Sequence, residues 1–203
     1  MSPSARPRER IVTDRLVLER ARPAHAEDVV EAYARDPEVT RLLLWTPHAT
    51  MEETRAFLEG KEEEWEAAEG FRWAIRERDG PGPVVGMIGI HPGGGLDQLG
   101  FVLARERWGR GYVTEALRAV LAEASGRLGM PEVRATVHPE NRGSMRVMEK
   151  AGMRRSGFAA RHHVLPNLGP EPVGCYCYRY RPENGQAPSS QTQANDDGEE
   201  STR

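Results

Sequence analysis

Apolar and polar residues alternate along the chain in patterns that predict strands and helices in mixed order. Residues 11–21 alternate with the two-residue period of a strand, and a helix is predicted from about residue 23 to 36. A second helix is predicted over 51–69, where Thr50 offers an N-cap oxygen and Glu53 stands at the capping-box position. Three residues form its apolar stripe: Phe57, Leu58 and Trp65.

The middle of the chain predicts three strands in quick succession: residues 71–78, 84–91 and 96–104. Their connections are short and rich in glycine and proline, which indicates an antiparallel meander. Further along, the pattern predicts three elements in turn: a helix over 113–128, a strand over 132–138 and a helix over 141–151. This order implies two parallel strands joined by a right-handed crossover. Residues 173–180 then belong to a closing hairpin.

The length and composition fit one α/β domain with tails. The chain has 203 residues, of which 38% are hydrophobic and 29% are charged. Residues 183–203 have almost no apolar side chain to offset the entropy of ordering them, so a disordered polar and acidic tail is predicted. Residues 1–10 are predicted to be a flexible segment, which leaves the domain over 11–182.

The charge and hydropathy of the chain exclude several classes of partner. A net charge of −3 gives no general basic field, so nucleic acid is not an expected partner. No segment approaches the roughly 20 apolar residues needed to cross a bilayer, and a cytoplasmic protein is expected. Cys175 and Cys177 lack the spacing of zinc or redox pairs and are interpreted as reduced structural thiols, with no metal expected.

A glycine-bearing loop over residues 106–111 stands between a predicted strand and a predicted helix. Gly109 and Gly111 allow backbone amides to approach a ligand, and the unpaired amides and dipole of the first helical turn favour an anion. Three arginines add charge suited to a polyphosphate: Arg105, Arg107 and Arg110. A plain turn with solvated arginines is the alternative. The Gly-Lys-Ser/Thr of a Walker loop is absent, and Thr114 occupies the third small-residue position of a dinucleotide fingerprint.

Three segments together carry a resemblance to a known family: 108–116 (WGRGYVTEA), 138–144 (HPENRGS) and 149–153 (EKAGM). They resemble the GNAT superfamily of N-acetyltransferases, in particular the branch that contains the ribosomal-protein alanine N-acetyltransferases. The pyrophosphate loop of that family reads Gln/Arg-x-x-Gly-x-Gly/Ala. Gly109 and Gly111 match it, whereas Glu106 departs from it. The resemblance implies a single GNAT-like domain whose mixed, mostly antiparallel, twisted sheet is splayed at its centre, with helices on both faces.

The same resemblance implies acetyl-CoA as the acetyl donor. The expected cofactor contacts come from the third meander strand, the loop and the following helices: Phe101, Val102, Leu103, Ala104, Arg107, Trp108, Gly109, Arg110, Gly111, Tyr112, Val113, Thr114, Asn141 and Arg146. Asn141 and Ser144 would be catalytic and face the cofactor thiol, where the Ser144 hydroxyl protonates or stabilises the leaving thiolate. Both residues are also common at the start of a helix, which is the structural alternative.

The acceptor side is less defined. Relatives often carry a glutamate where Gln98 stands, and on a regular strand Asp97 would point to the opposite face. The general base is therefore left open, with His91 and His138 as candidates. The expected acceptor-binding residues are Trp45, Gln98 and His138, although Trp45 fits a core position equally well.

The resemblance implies direct attack of an amine on the thioester within a ternary complex. A protein N-terminal amine is the expected acceptor. A small-molecule amine, such as an antibiotic, a polyamine or a metabolite, is the alternative within the same chemistry. The changed positions Glu106 and Gln98 motivate a second alternative, a regulatory module that binds acetyl-CoA without catalysis. Monomer and homodimer both remain open.

Overall fold

The computed structural model describes residues 5–80 and 82–182. The predicted disordered tail and residues 1–4 lie outside this part of the chain. Residues 5–10 differ from the flexible segment that was expected, because they are tied to the domain. Pro7 is buried, and the indole of Trp73 donates to the carbonyl oxygen of Arg8 at 2.9 Å. Arg6 donates to the carbonyl oxygen of Trp65 at 3.0 Å.

The first predicted strand is a hairpin. Strand β1 (Arg10–Val12) pairs with strand β2 (Leu16–Arg20) in antiparallel register. The intervening turn is closed by the amide of Thr13, which donates to the carbonyl oxygen of Leu16 at 2.9 Å. The prediction of one continuous strand over 11–21 is therefore wrong, because the chain reverses direction within it.

Short helical segments follow the hairpin. A 3₁₀ turn (Pro23–His25) leads into helix α1 (Ala26–Val29), which continues as a π-helical turn (Val30–Ala34). Helix α2 (Pro37–Thr40) comes next. The predicted helix over 23–36 thus exists, but it changes its hydrogen-bonding pattern along its length.

Helix α3 (Met51–Glu66) forms as the sequence predicts. The Thr50 hydroxyl accepts from the amide of Glu53 at 3.2 Å, and the Glu53 carboxylate accepts from the amide of Ala49 at 2.6 Å. Leu58 and Trp65 are fully buried. The stripe and the N-cap together fix both the face and the start of the helix.

The predicted meander forms the centre of a five-stranded antiparallel sheet with the order β1-β2-β3-β4-β5. Its remaining strands are β3 (Phe71–Glu77), β4 (Val84–Ile90) and β5 (Leu99–Leu103). Every residue of β4 is buried because both faces of the sheet are covered. Helix α4 (Tyr112–Gly126) packs against one face and α1 against the other.

A second antiparallel sheet has the order β6-β8-β7. It consists of β6 (Val133–Val137), β7 (Arg154–Val164) and β8 (Pro172–Tyr180), and helix α5 (Arg142–Lys150) joins β6 to β7. The last two strands are the predicted closing hairpin.

The two sheets meet at β5 and β6, which share no ladder within the described ranges. Gln98 links the two sheets through two hydrogen bonds to Arg134. The backbone N–H of Gln98 donates to the carbonyl oxygen of Arg134 at 3.1 Å, and the side-chain Oε1 of Gln98 accepts from the backbone N–H of Arg134 at 3.0 Å. The predicted parallel pair is thus replaced by a gap, and the splayed α/β fold is confirmed. In the described part of the chain, no helix combines the length and apolar character that a membrane crossing requires.

Candidate active site

A cavity of about 320 Å³ opens where the two sheets separate. Its walls come from the loop before α3, from β3 to β5, from β6 and α5, and from the β7–β8 hairpin. Several residues predicted for cofactor, catalysis or acceptor line it: Trp45, His91, Phe101, Val102, His138, Asn141 and Ser144. The fold therefore brings together side chains that are about one hundred residues apart in sequence.

Asn141 and Ser144 lie at the start of α5. Asn141 is the N-cap, and its Oδ1 accepts from the amide of Ser144 at 3.0 Å. Both side chains also line the cavity, so the capping role and the proposed catalytic role are compatible. Arg146, one turn further along, is exposed and does not line the cavity.

Strand β5 offers a backbone edge to the cavity. It pairs with β4 on one side, where Val102 is opposite Met87 and Phe101 is opposite Ile88, and its other edge faces the gap. Leu103 and Ala104 are buried. Backbone N–H and C=O groups on an unpaired strand edge need hydrogen-bond partners from elsewhere. An extended ligand with amide groups can provide these partners.

The glycine loop has the geometry of an anion cradle. Gly109 and Gly111 have φ angles of 76° and 79°, in the left-handed region that favours glycine, and Gly111 is the N-cap of α4. The first turn of α4 contributes amides that have no partner within the helix: those of Tyr112, Val113 and Thr114. The positive end of the helix dipole adds to this preference for an anion.

Glu77 on β3 organises the side chains of this loop, and sequence reasoning missed it. Its Oε1 accepts from the Tyr112 hydroxyl at 2.8 Å and lies 3.2 Å from Nε of Arg107. Nη1 of Arg110 lies 3.9 Å from the same oxygen. Arg105 instead pairs with Asp36 at 3.1 Å. All three arginines predicted for the polyphosphate therefore have a carboxylate within 4.0 Å, and that of Arg110 is the most distant.

Trp108 packs the loop onto β5. Its indole Nε1 donates to the carbonyl oxygen of Leu103 at 2.8 Å, while 51% of the residue stays exposed. Glu106, the position that departs from the family motif, points into solvent with 88% of its side chain exposed.

Asp97 and Gln98 occupy each other's expected places. Strand β5 begins only at Leu99, so strict alternation does not extend to these two residues. The Gln98 side chain donates to the carbonyl oxygen of Pro92 at 3.3 Å and does not line the cavity, whereas Asp97 does. The expectation that Gln98 faces the acceptor is therefore wrong.

Asp97 is the centre of a polar cluster. Its two carboxylate oxygens lie 2.7 Å from Nε2 of His162 and 3.0 Å from Nε2 of His163, and the Thr136 hydroxyl also donates to it. A register shift in β7 between Ala159 and His163 accompanies the convergence of two successive histidines on one carboxylate. Burial alone would raise the pKa of Asp97, but the hydrogen bonds from His163, Thr136 and His162 outweigh it and lower the pKa to about 2.

The donor atoms of Asp97, His162 and His163 lie within 4.8 Å of one another. Within residues 5–80 and 82–182, this is the one group of histidine, cysteine and carboxylate side chains that could hold a metal ion. The hydrogen bonds among these side chains already satisfy both oxygens of the carboxylate without an ion.

The histidines proposed as bases have different surroundings. Nε2 of His91 lies 3.0 Å from Nη2 of Arg72, which can only donate, so the lone pair of His91 is already occupied. Burial, followed by the charge of Arg72, lowers the pKa of His91. His138 lines the cavity, and its Nδ1 accepts from the amide of Glu140 at 3.3 Å.

Trp45 lines the cavity and also packs on the core, so its position is compatible with either interpretation. Its ring centroid is 5.0 Å from that of His48. The side-chain amide of Asn167 donates to the carbonyl oxygens of Trp45 and Thr40, each at 2.8 Å. This contact links the loop before α3 to the β7–β8 connection.

A splayed sheet with a free strand edge, an anion cradle at a helix start and a cavity at the gap between the sheets are features expected of an acyltransferase that uses a coenzyme A thioester. Comparison with known proteins identifies the protein family. The chain belongs to the GNAT acetyltransferases, since residues 15–154 match the family model described as Acetyltransferase (GNAT) domain.

Similar proteins support the same conclusion. The chain is 26% identical over 170 residues to YoaA of Bacillus subtilis (strain 168), an uncharacterized N-acetyltransferase, covering 81% of this chain and 93% of YoaA. A GNAT-family acetyltransferase from Bacillus anthracis has a TM-score of 0.71 and 29% identity, covering 85% of this chain and 98% of that structure.

The ribosomal-protein-S5-alanine acetyltransferase of Vibrio fischeri has a TM-score of 0.73 at 14% identity, covering 86% and 97% of the two chains, and therefore supports the fold alone. The predicted family and the predicted acetyl-CoA-dependent enzyme are confirmed. The non-catalytic alternative is not supported.

Proposed function

We propose that this enzyme transfers the acetyl group of acetyl-CoA directly to a primary amine held in the cavity between β5 and β6. The observation that carries the proposal is the cavity itself. It is lined by β5 residues Phe101 and Val102, by Ser144, and by the polar side chains of Asp97 and His163. The amine lone pair attacks the thioester carbonyl carbon, the carbon–sulfur bond breaks, and coenzyme A leaves as product.

The cofactor would lie along residues already described. The pantetheine arm would pair with the free edge of β5 at Phe101 and Val102, because the Ala104 amide already donates to Val85 and the Leu103 carbonyl oxygen accepts from Trp108. The pyrophosphate would lie on the amides of the loop and of the first turn of α4. A backbone amide near Val102 would polarise the thioester carbonyl, and the Ser144 hydroxyl would donate a proton to the departing thiolate. Alignment of the two reactants supplies a further part of the rate.

A covalent intermediate on the enzyme is not needed. Cys175 lines the cavity, but burial raises its pKa to about 11, so it remains a thiol at neutral pH. A protonated thiol is a poor nucleophile. This supports direct transfer in a ternary complex.

The proton of the acceptor ammonium would pass to His163. This side chain lines the cavity and has its Nε2 against Asp97, which leaves Nδ1 as the proton acceptor if Nε2 carries the hydrogen. Asp97 would then stabilise the imidazolium, in the way that a carboxylate orients a catalytic histidine. Asp97 itself is a weak base because of its low pKa.

The cavity favours a small-molecule amine, because its volume of about 320 Å³ lies in the range of small-ligand pockets. A protein N-terminal amine is the second candidate, which the sequence resemblance favours. Acetylation of a panel of small amines and of short peptides with free N-termini, followed by coenzyme A release, distinguishes the two. Preference for peptides by a factor of ten or more would refute the small-molecule proposal.

Cofactor binding is tested by calorimetric titration with acetyl-CoA. Gly109→Glu would place bulk and negative charge in the cradle, and we expect it to abolish micromolar binding. Gly80→Glu is the matched control, because Gly80 also has a left-handed φ, of 105°, and open space around it, but lies on the β3–β4 turn. A folded wild-type protein that binds no acetyl-CoA would refute the proposal.

A further inference from the structure

Arg72 on β3 lies in the wall of the cavity, and no carboxylate among residues 5–80 and 82–182 forms an ion pair with it. Its Nη2 donates to Nε2 of His91 at 3.0 Å, and its Nε is fully buried with no hydrogen-bond partner among the described residues. Burial lowers the pKa of this guanidinium below its ordinary value, against the opposing influence of Glu64. An arginine stays protonated in proteins all the same, so the positive charge persists.

Two other arginines of the same sheet, Arg20 and Arg76, have direct carboxylate partners. Arg20, whose side chain is 7% exposed, has carboxylates of Glu9, Glu62 and Glu66 within 3.6 Å. Arg76, on the same strand as Arg72, pairs with Glu19 and Asp28 at 2.5 and 3.0 Å. These structural arginines are neutralised by the protein, as buried charges normally are.

Arg72 has no such direct pair, since no carboxylate oxygen of the described residues lies within 4.0 Å of it, and Glu64 acts on its charge only from a longer distance. Glu64, the nearest acid that affects it, is already paired with Lys61 through Oε1. Its Oε2 lies 4.0 Å from Nδ1 of His91, rather than on the guanidinium. His91 is a neutral acceptor and cannot compensate the charge. The guanidinium therefore keeps donors and charge for an anion that enters the cavity.

Two glycines shape this part of the cavity, because Gly89 leaves room for the Arg72 side chain and Gly100 leaves open space beside it. Gly89 lies directly opposite Arg72 across β3 and β4, and Gly100 lies opposite Gly89 across β4 and β5, so all three face the same side of the sheet. A Cβ added to Gly89 would be 2.6 Å from Cγ of Arg72 and 3.2 Å from its Nη1. The arginine thus crosses over β4 only because residue 89 has no side chain. A Cβ added to Gly100 would meet no atom within 4 Å, so the floor beside the guanidinium is open.

We propose that Arg72 binds the carboxylate of the acceptor, and that the acceptor is a small α-amino acid whose amine then lies over β5 beside the thioester. The proposal rests on the function proposed above. The guanidinium lies about one strand spacing, ~4.8 Å, from β5. In an α-amino acid the amine and the carboxylate are on the same carbon, which matches this short span.

The rest of the cavity is complementary to such a ligand. Arginine binds carboxylates through two parallel hydrogen bonds, with geometric selectivity that an amide or an alkyl group cannot satisfy. Asp97 is an anion that also lines the cavity, and its negative charge attracts an ammonium group. Tyr33, Phe57 and Met87 provide apolar surface for the side chain of the amino acid. A zwitterion meets opposite charges at its two ends.

The test compares leucine, methionine and phenylalanine with their carboxamides, using coenzyme A release as the readout. We expect the wild-type kcat/KM to be at least about tenfold higher for each acid than for its amide, the value expected for one charged hydrogen-bond pair. Arg72→Gln should remove this preference mainly through the KM of the acid, and Arg72→Lys should restore part of it. Arg78→Gln is the control, an exposed arginine on the same segment outside the cavity.

A binding measurement covers the case in which turnover is too slow to follow. Each amino acid is titrated calorimetrically into wild type and Arg72→Gln saturated with coenzyme A, and we expect binding only to wild type. Equal use of acids and amides, preference for peptides, or absence of amino acid binding would each overturn the proposal. If Arg72→Gln lowered kcat/KM equally for acids and for amides, the role of Arg72 would be structural, and the proposal would be refuted. If the wild type binds no acetyl-CoA, the proposed function itself has failed. If it binds acetyl-CoA but no amino acid, only the proposal on Arg72 has failed.

Discussion

Replacement of Gln98 tests whether this position belongs to the acceptor site or to the joint between the two sheets. Its side chain accepts from the amide of Arg134 at 3.0 Å and donates to the carbonyl oxygen of Pro92 at 3.3 Å. Gln98→Ala removes both bonds and leaves the Arg134 amide without this partner at the point where β5 and β6 separate.

The expected loss can be worked from these two bonds. A hydrogen bond contributes about 0.5–1.5 kcal/mol net, so two bonds give about 1–3 kcal/mol. The longer contact to Pro92 is the weaker one, and about 2 kcal/mol is the central expectation. For a chain of this size, one kcal/mol shifts Tm by about 2–4 °C, which gives a decrease of roughly 4–8 °C.

Gln98→Glu restores the carboxylate that relatives often carry and is the sharper variant. A glutamate can still accept from the Arg134 amide but cannot donate to Pro92, so Tm should fall by about half as much as in Gln98→Ala. Because the side chain points away from the cavity, kcat for any accepted amine should stay within about twofold of wild type. Thermal unfolding followed by circular dichroism and the initial rate of coenzyme A release measure the two effects. A tenfold gain in kcat in Gln98→Glu, or an unchanged Tm in Gln98→Ala, would refute the placement of this side chain.

Three further predictions follow from other contacts. The pKa of Asp97 is lowered from 3.8 to about 2, so the stability that ionised Asp97 contributes is present above pH 3.8 and is lost as the pH falls through about 2. In urea unfolding between pH 3.8 and about 2, Asp97→Asn should therefore lose less free energy of unfolding than wild type. Thr50→Ala removes the N-cap of α3 and should lower the free energy of unfolding by about 0.5–2 kcal/mol in thermal unfolding. Thr50→Ser keeps a capping hydroxyl and should retain most of this stabilisation. Cys175 is 1% exposed with a pKa of about 11, so peptide mapping after iodoacetamide treatment at pH 7.5 should find Cys177 alkylated first; faster labelling of Cys175 would contradict its burial.

The successes and failures of the sequence-based fold have a common physical origin. The meander and α4 could be predicted because each depends on a local period and on short glycine- and proline-rich connections. The first hairpin could not, because its turn at Thr13 to Arg15 contains neither glycine nor proline and the alternation of the two strands runs through it. The gap between β5 and β6 was expected from the family resemblance, since local periodicity reports which residues form strands but not which strands pair.

The candidate site divides in the same way. The cradle and the start of α5 are contiguous motifs, so Gly109, Gly111 and Ser144 could be recognised in the sequence. The Asp97 cluster joins residues 65 and 66 positions apart and involves an irregular strand, which no spacing rule contains. Arg72 gave no signal at all, because its significance is the absence of the carboxylate that each comparable arginine has.

This division explains why family membership identifies the donor and leaves the acceptor open. The donor is expected to bind to backbone groups, namely the free edge of β5 and the amides that two left-handed glycines expose, and such groups persist through extensive side-chain change. The proposed acceptor side is built from individual side chains of the cavity wall, among them Arg72 and Asp97. A relative at 26% identity can therefore retain the donor chemistry while any one of these side chains differs. Specificity for the acceptor is then a property of this cavity, to be established residue by residue from its charges.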